Sequence, residues 1–411
     1  MAPKRRKLHG GGGGGGGESP VELAKPLDDD TKESSSPEFA KPVYLVAVRE
    51  DDPAAYSVLQ MAAAAAAGDE KPRIRTVAGL PSTTEPGMSF AAVHSKHGSW
   101  IVGVGGGLKA GTIIFDPKTS KIFHGPRLGY PKREPVLISH GGKVYAISAR
   151  PRTVPRFDRE PWFECLSFNE GVPSEDCGLW VSWRHLPPPP FFPCFLDPYE
   201  FRNPPEISVS SYAAVGSYIL ISPQPELVVG TYAFHVAVNQ TWEKIHNRNL
   251  PFVGQAVPLD DRSLFAACPI SDNSFDASAS ASVFHMSIKV PLPNCVEAVS
   301  STLSLSVQEF KVVTLEDNII PRPLFCPMGN GSFCFIRLGS SSRRQSRKAL
   351  KLLQVSLSAL WIENIEAIMT HCQSQGAKAK DLLVPVQVKE KSRTCKSKRL
   401  SGISVVAAFS I

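Results

Sequence analysis

Side chains able to do chemistry are plentiful in this 411-residue chain, but their spacing assembles no recognisable catalytic set. Ten histidines occur, none at the HExxH or HxH spacing that would bring two imidazoles to one metal. Nine cysteines, at positions 165, 177, 194, 268, 295, 326, 334, 372 and 395, form no CxxC pair and no Cys/His grouping, so buried thiols are expected. Glu160 and Glu164 flank Trp162, but two carboxylates do acid–base work only inside a cleft. His140-Gly141-Gly142 has the look of an oxyanion loop, yet no GxSxG follows to supply a nucleophile. Gly103-Val104-Gly105-Gly106-Gly107 precedes the strand-like Thr112-Ile113-Ile114-Phe115 rather than a helix, so a turn is expected, not a phosphate cradle. The expectation is a non-enzyme with no catalytic residue, no cofactor and no metal ligand.

Charge gives a second line of argument. The formal net charge is +7, and the basic residues are clustered: four in residues 1–9, five in 343–351, and eight in 378–399 against Asp381 and Glu390. The remainder of the chain is therefore net acidic, which is not how a folded face grips nucleic acid. Lys4, Arg5, Arg6 and Lys7 form a compact cluster ahead of the glycine run Gly10 to Gly17 and are the candidate nuclear-localisation residues. Arg343-Arg344-Gln345-Ser346 has the order that basophilic kinases favour, which makes Ser346 a phosphorylation candidate. The expected location is the nucleus, the cytoplasm or both, because no signal-peptide core and no run of about 18 apolar residues occurs. The sequons at Asn239 and Asn330 are read as turn chemistry.

Hydrophobic residues make up 42% of the chain and charged residues 20%, values of a globular protein. Three domains are expected: a disordered Gly/Ser/Pro-rich leader over 1–41, a β-rich body over 42–361, and a short helix with a basic, poorly ordered tail over 362–411. Met61 to Ala67 reads as a loop of variable length and Ser358 to Cys372 as the one helix. Elsewhere short strand-like runs alternate with turn signals. One unit recurs: a hairpin with a Gly, Asp or Asn tip, an aromatic strand, then a strand bearing Trp or Gly-Pro. Tips fall at Lys96-His97-Gly98, Gly141-Gly142, Val215-Gly216, Asp260-Asp261 and Gly329-Asn330-Gly331. Two tip separations match one propeller-blade period and two exceed it by an insertion, so an all-β propeller of six blades is expected. The tryptophans at 100, 162, 180, 183, 242 and 361 are expected to pack between blades. Pro187, Pro188, Pro189, Pro190, Phe191 and Phe192 form a stiff segment with adjacent aromatics, a candidate partner-binding contact or else a proline-pinned connector.

The runs Val43 to Val48, Phe115-Asp116-Pro117-Lys118-Thr119, Trp180 to Phe191, Gly230 to Phe234 and Leu250 to Gly254, in that order, resemble the large grass family of kelch-like, F-box-associated-like proteins that carry a domain of unknown function. The resemblance covers about residues 42–340. It implies a kelch-type propeller from a plant, with no catalytic residues to carry over. No F-box precedes Val43 in this sequence, so a role as a ubiquitin-ligase receptor is not expected. The function expected is therefore a monomeric protein-interaction module that uses loops on one face. Its competitors are a nucleic-acid-associated protein using the basic tail and a hydrolase or oxidase in the propeller channel.

Overall fold

The structure is a computed structural model. It describes residues 41–411 except 50, 53–54, 62–73, 82–85, 108–110, 153–160, 172–181, 195, 197–199, 201, 260–262, 271–280, 291–302, 313–323, 342–351, 375–384 and 398–402. The leader, the poly-alanine run after Met61, Trp180, Glu160 and Ser346 lie outside the described residues.

The chain is all-β, with one described helix. It builds four-stranded antiparallel groups, each in chain order from its first strand to its outer edge. Strands β4 (Met88–Ser95), β5 (Gly98–Gly105), β6 (Thr112–Asp116) and β7 (Lys121–Gly125) make one. Strands β8 (Val136–His140), β9 (Lys143–Ile147), β10 (Phe163–Ser167) and β11 (Arg184–Leu186) make the next. Two more groups are joined into an eight-stranded sheet: β12 (Val209–Val215), β13 (Tyr218–Pro223), β14 (Thr231–His235) and β15 (Trp242–His246), with β16 (Phe252–Pro258), β17 (Leu264–Pro269), β18 (Ser282–Lys289) and β19 (Ser304–Lys311). A further sheet holds β20 (Leu324–Gly329), β21 (Ser332–Ser341), β22 (Leu352–Ile362) and β23 (Val388–Ser397). The last is assembled from both ends of the described chain, with β24 (Ile403–Ser410) beside β1 (Val43–Arg49), β2 (Tyr56–Met61) and β3 (Ile74–Gly79).

These groups are arranged cyclically. The first strands touch in the order β4, β8, β12, β16, β20, β24, and β24 touches β4 again. The buried side chains follow the same cycle, because every hydrophobic cluster draws on two successive groups. Leu45 and Leu59 pack with Cys334 and Leu357 on one side of the composite sheet, while Val46 and Val58 pack with Ile101 and Phe115 on the other. Strand alternation therefore sends both sets of side chains inward, toward different neighbours. The architecture is propeller-like, as the sequence pattern predicts.

Hairpin tips fall where the turn residues place them. The β8–β9 tip is Gly141-Gly142, and the β20–β21 tip carries Asn330 at φ 51°. Asn239, in the β14–β15 turn, has φ 50°. Both sequons thus occupy left-handed turn positions that asparagine tolerates. The β6–β7 turn is closed by Asp116, whose carboxylate accepts from Lys118 N (2.8 Å) and Thr119 Oγ1 (2.7 Å). In the β14–β15 turn the equivalent role falls to His235, whose Nδ1 accepts from Ala237 N (3.2 Å) and Val238 N (2.8 Å).

Two expectations need correction. Ser358 to Ile362 ends β22, and the helix, α1, spans Ile365–Ser374. As an inner strand, β22 is packed on both faces, with Leu357 and Ala359 in one cluster and Leu360 and Ile362 in the next. Its apolar run therefore lacks the period-two signature of a half-buried strand. The basic tail is not an appendage either. Residues 388–397 pair with β22 across ten consecutive positions, and residues 403–410 pair with β1. Long-range partners supply the hydrogen bonds that the local pattern does not advertise, so the body extends to the last strand.

Closure depends on β24. Deleting residues 399–411 opens two clusters at once, those containing Val405 and Ala408 on one side and Ala407 on the other. The truncated chain is expected to lose its cooperative urea transition. Val406, which has no partner on β1 and is 40% exposed, should tolerate alanine within about 0.5 kcal/mol. An unchanged urea midpoint after the deletion would contradict closure through β24.

Candidate functional site

The carboxylate singled out by sequence, Glu164, is fully buried on β10. Its Oε2 forms an ion pair with Lys132 Nζ, which is equally buried, and its Oε1 accepts from Gly129 N at 2.8 Å. His185 Nε2, from β11, lies 3.4 Å from the same Oε1 with its ring largely in solvent. A Cβ on residue 129 would collide with the His185 ring, so only glycine allows this approach. Both carboxylate oxygens are thus engaged and the charge is neutralised. The arrangement fastens the connection between β7 and β8 onto β10 and does not resemble a poised acid or base. Lys132 was not legible in the sequence, since nothing distinguishes it from the adjacent Arg133.

The tryptophans act at the same kind of seam. Trp100, Trp162 and Trp183 are buried, while Trp242 and Trp361 are half-buried. Trp183, just before β11, donates its indole N–H to Thr112 Oγ1 (3.0 Å) and to the carbonyl of Pro126 (3.2 Å), the residue directly after β7. Trp242, at the start of β15, donates to the carbonyl of Pro187 (2.8 Å), the residue directly after β11. The same contact therefore recurs: an indole at the outer strand of one group satisfies the carbonyl that ends the outer strand of the preceding group.

The proline-rich segment follows β11 at the same seam. Pro189 and Phe192 are buried, Pro188 and Phe191 half-buried, and Pro187 and Pro190 exposed. Phe192 meets Trp162 edge-on at 5.9 Å and Phe191 meets Tyr232 at 5.5 Å. The aromatic pair fills the cluster between the β8–β11 and β12–β15 groups. Of the two readings of this segment, the burial of Pro189 and Phe192 suits a proline-pinned connector, while Pro187 and Pro190 remain exposed.

Exposed apolar side chains lie elsewhere. In each group the connection from second to third strand and the connection to the next group leave from one end, opposite the first hairpin tip. On the eight-stranded sheet that end carries Val228, between β13 and β14, Val253 at the start of β16, and Ile270 after β17, exposed by 69%, 49% and 37%, while Val238 in the β14–β15 turn and Val290 after β18 are exposed at the opposite end. Ile270 N donates to Pro251 O at 3.1 Å, which fixes the β17 end beside the β16 start. The sheet is joined where β16 bulges. Gly254, at φ +76°, and Gln255 leave β17 and pair in parallel with Ser211 and Tyr212 of β12. The hydroxyl of Ser211 donates to Phe252 O at the same seam. This braced loop end is the candidate functional site, and sequence pattern gave no pointer to it because single valines in turns carry no signal.

Among the described residues no group of three or more His, Cys, Asp or Glu side chains could hold a metal ion. Burial pushes the Cys334 thiol up to about 12 and the Cys194 thiol up to about 11, which makes these two poor nucleophiles. No described helix is long and apolar enough to cross a membrane.

The profile of a family described as a protein of unknown function (DUF1668) matches residues 40–377. The chain belongs to this family. None of the curated proteins matches significantly. Among solved structures, the one titled "Structure of YjhT" aligns with a TM-score of 0.38 at 12% identity, covering 80% of this chain and 97% of that one. The DUF1668 match spans every group described above except β23 and β24.

Two measurements check these assignments. Lys132→Met leaves the Glu164 carboxylate buried and unpaired, with an expected loss of about 3–5 kcal/mol in urea unfolding. The double variant Lys132→Met/Glu164→Leu should recover most of it, which a catalytic role would not predict for stability. Half-buried His140 has its pKa lowered from 6.5 by burial. Above that value neither state binds the proton; below it the unfolded chain takes up a proton that the folded chain refuses, so stability falls until the folded pKa is reached. Between about pH 7 and about pH 5, the thermal midpoint of His140→Gln should fall less than that of the parent chain.

Proposed function

We propose that this chain is a non-enzymatic, monomeric protein-interaction module, a six-bladed kelch-like β-propeller whose loops at one end bind a protein partner. The observation that carries the binding role is the set of exposed side chains Val228, Val253 and Ile270 on the braced end of the eight-stranded sheet. Exposed branched side chains on a rigid scaffold have a small ordering cost on binding. Several features support the finer fold reading. The six four-stranded groups are taken as blades because their first strands touch in a cycle. Kelch-like character draws on the recurring third-strand turn closed by Asp116 or His235, followed by the Trp242 latch, and on the Gly141-Gly142 tip. The basic cluster Lys4 to Lys7 serves on this reading as a nuclear address in a plant cell.

The test is quantitative co-purification. The full chain is expected to retain a saturable partner that is lost from Val228→Glu/Val253→Glu/Ile270→Glu, with the urea midpoint unchanged. A version lacking residues 1–9 should shift from nucleus to cytosol without losing that partner. Equal recovery by the triple variant, or turnover of a small substrate with no saturable partner, would overturn the reading.

A further inference from the structure

The outer edges of the sheets are unequal. β7, β11 and β15 run three to five residues, β3 six with a register shift, and β19 eight. β23 runs ten residues, pairs with β22 without a bulge, and contains no proline. It is the last strand of its sheet, so alternate N–H and C=O groups along its length face away from β22 with no strand beside them among the described residues. Proteins ordinarily shorten, twist or charge such an edge. Here the edge is long, pairs without a register shift and carries charge.

By register the charge is uneven: Lys389, Lys391 and Arg393 alternate onto one face of the strand, Glu390 and Lys396 onto the other. Glu390, Ser392 and Thr394 share one face of β23 and are engaged there: Ser392 Oγ lies 2.8 Å from Ser358 Oγ and donates to Glu390 Oε1 at 2.7 Å, and Thr394 Oγ1 lies 3.1 Å from Ser356 Oγ. Exposed Lys389 and half-buried Lys391 share the other face. Among the described residues neither lysine has a hydrogen-bond or ion-pair partner. The single carboxylate of the strand is thus held by its own side, while the two ammonium groups, about 6.8 Å apart along an extended strand, remain unbalanced.

We infer that the outer edge of β23 is a strand-addition site for an extended acidic peptide segment of a partner protein. Main-chain hydrogen bonds to the free edge hold the peptide, and carboxylates at every second residue fall opposite Lys389 and Lys391. Direct cross-strand pairs of opposite charge set its register, since a slip of one residue turns the carboxylates to the Glu390 face. This surface is separate from the loop end proposed above and does not depend on it.

The probe is a fluorescent peptide as long as β23, with glutamate alternating with valine and threonine, titrated by anisotropy into the full chain. Saturable binding is expected, weakened about tenfold in Lys389→Glu/Lys391→Glu at an unchanged urea midpoint. A peptide N-methylated at alternate amides, with its charge intact, should fail to bind. Val228→Glu/Ile270→Glu should bind the peptide normally, so failure of the loop-end reading leaves this result untouched. Equal binding of the N-methylated peptide, no binding of the parent peptide, or its displacement by a single-stranded oligonucleotide that binds more tightly would overturn the proposal, the last in favour of a nucleic-acid surface.

Discussion

Every buried cluster here is built from two successive four-stranded groups, so the free energy of burial is released only when neighbours are seated against each other. A group taken alone is a twisted antiparallel sheet with two apolar faces, which is unstable in water. The constraint then propagates around the cycle until the first and last groups meet. The chain resolves it by composing one sheet from both ends, with β24 beside β1. A strand contributed from the far end of the sequence ties the stability of the group containing Leu45 to that of the group containing Cys334 and to that of the group containing Ile101. Closure by pairing, rather than by a covalent bond, is consistent with the described cysteines all being free thiols.

Packing between sheets leaves a polar residue to settle, because each outer strand ends in a carbonyl near an apolar neighbour. The indoles of Trp183 and Trp242 answer it in the same way, each reaching back to the proline carbonyl that ends the previous outer strand. Proline suits that point because it has no N–H to satisfy and it fixes the chain as it leaves the strand. The buried Lys132–Glu164 pair plays a related part on the connection that follows Pro126. Such a pair adds little net stability compared with apolar packing but is costly to break, so it fixes where the connection sits. Polar contacts at these seams thus set register and orientation while the clusters supply the energy.

Much of this was legible in the sequence wherever the signal is local. Gly141-Gly142, Asn330 and the Asp116-Pro117 turn declare hairpins through conformational preferences of single residues. The recurrence of those turns was enough to predict a propeller-like fold. What was not legible is what depends on a distant partner. Ser358 to Ile362 has no period-two pattern because both faces are covered, and residues 388–397 look like a charged tail because their lysines sit at an edge. Pro187 to Phe192 reads as either a partner-binding contact or a proline-pinned connector. Its aromatics pack on Trp162 and Tyr232, which lie 30 and 40 positions away from Phe192 and face the segment only after folding. The candidate site was the least legible element of all, since Val228, Val253 and Ile270 come together through the fold and not through any motif.

The joined sheet bears on where function resides. Other successive groups share single main-chain hydrogen bonds, as between Val209 N and Ala149 O (2.9 Å) and between Gly331 N and Leu259 O (3.0 Å). Between β12 and β16, two consecutive residues, Ser211 and Tyr212, pair in a parallel ladder. The bulge that permits it begins directly after Val253, which still pairs with Cys268 and is half in solvent. One local departure from strand geometry therefore joins two groups by main-chain pairing next to an exposed apolar side chain. A recognition surface works best where the backbone does not have to be ordered on binding, and main-chain pairing across the β12–β16 seam favours that condition there.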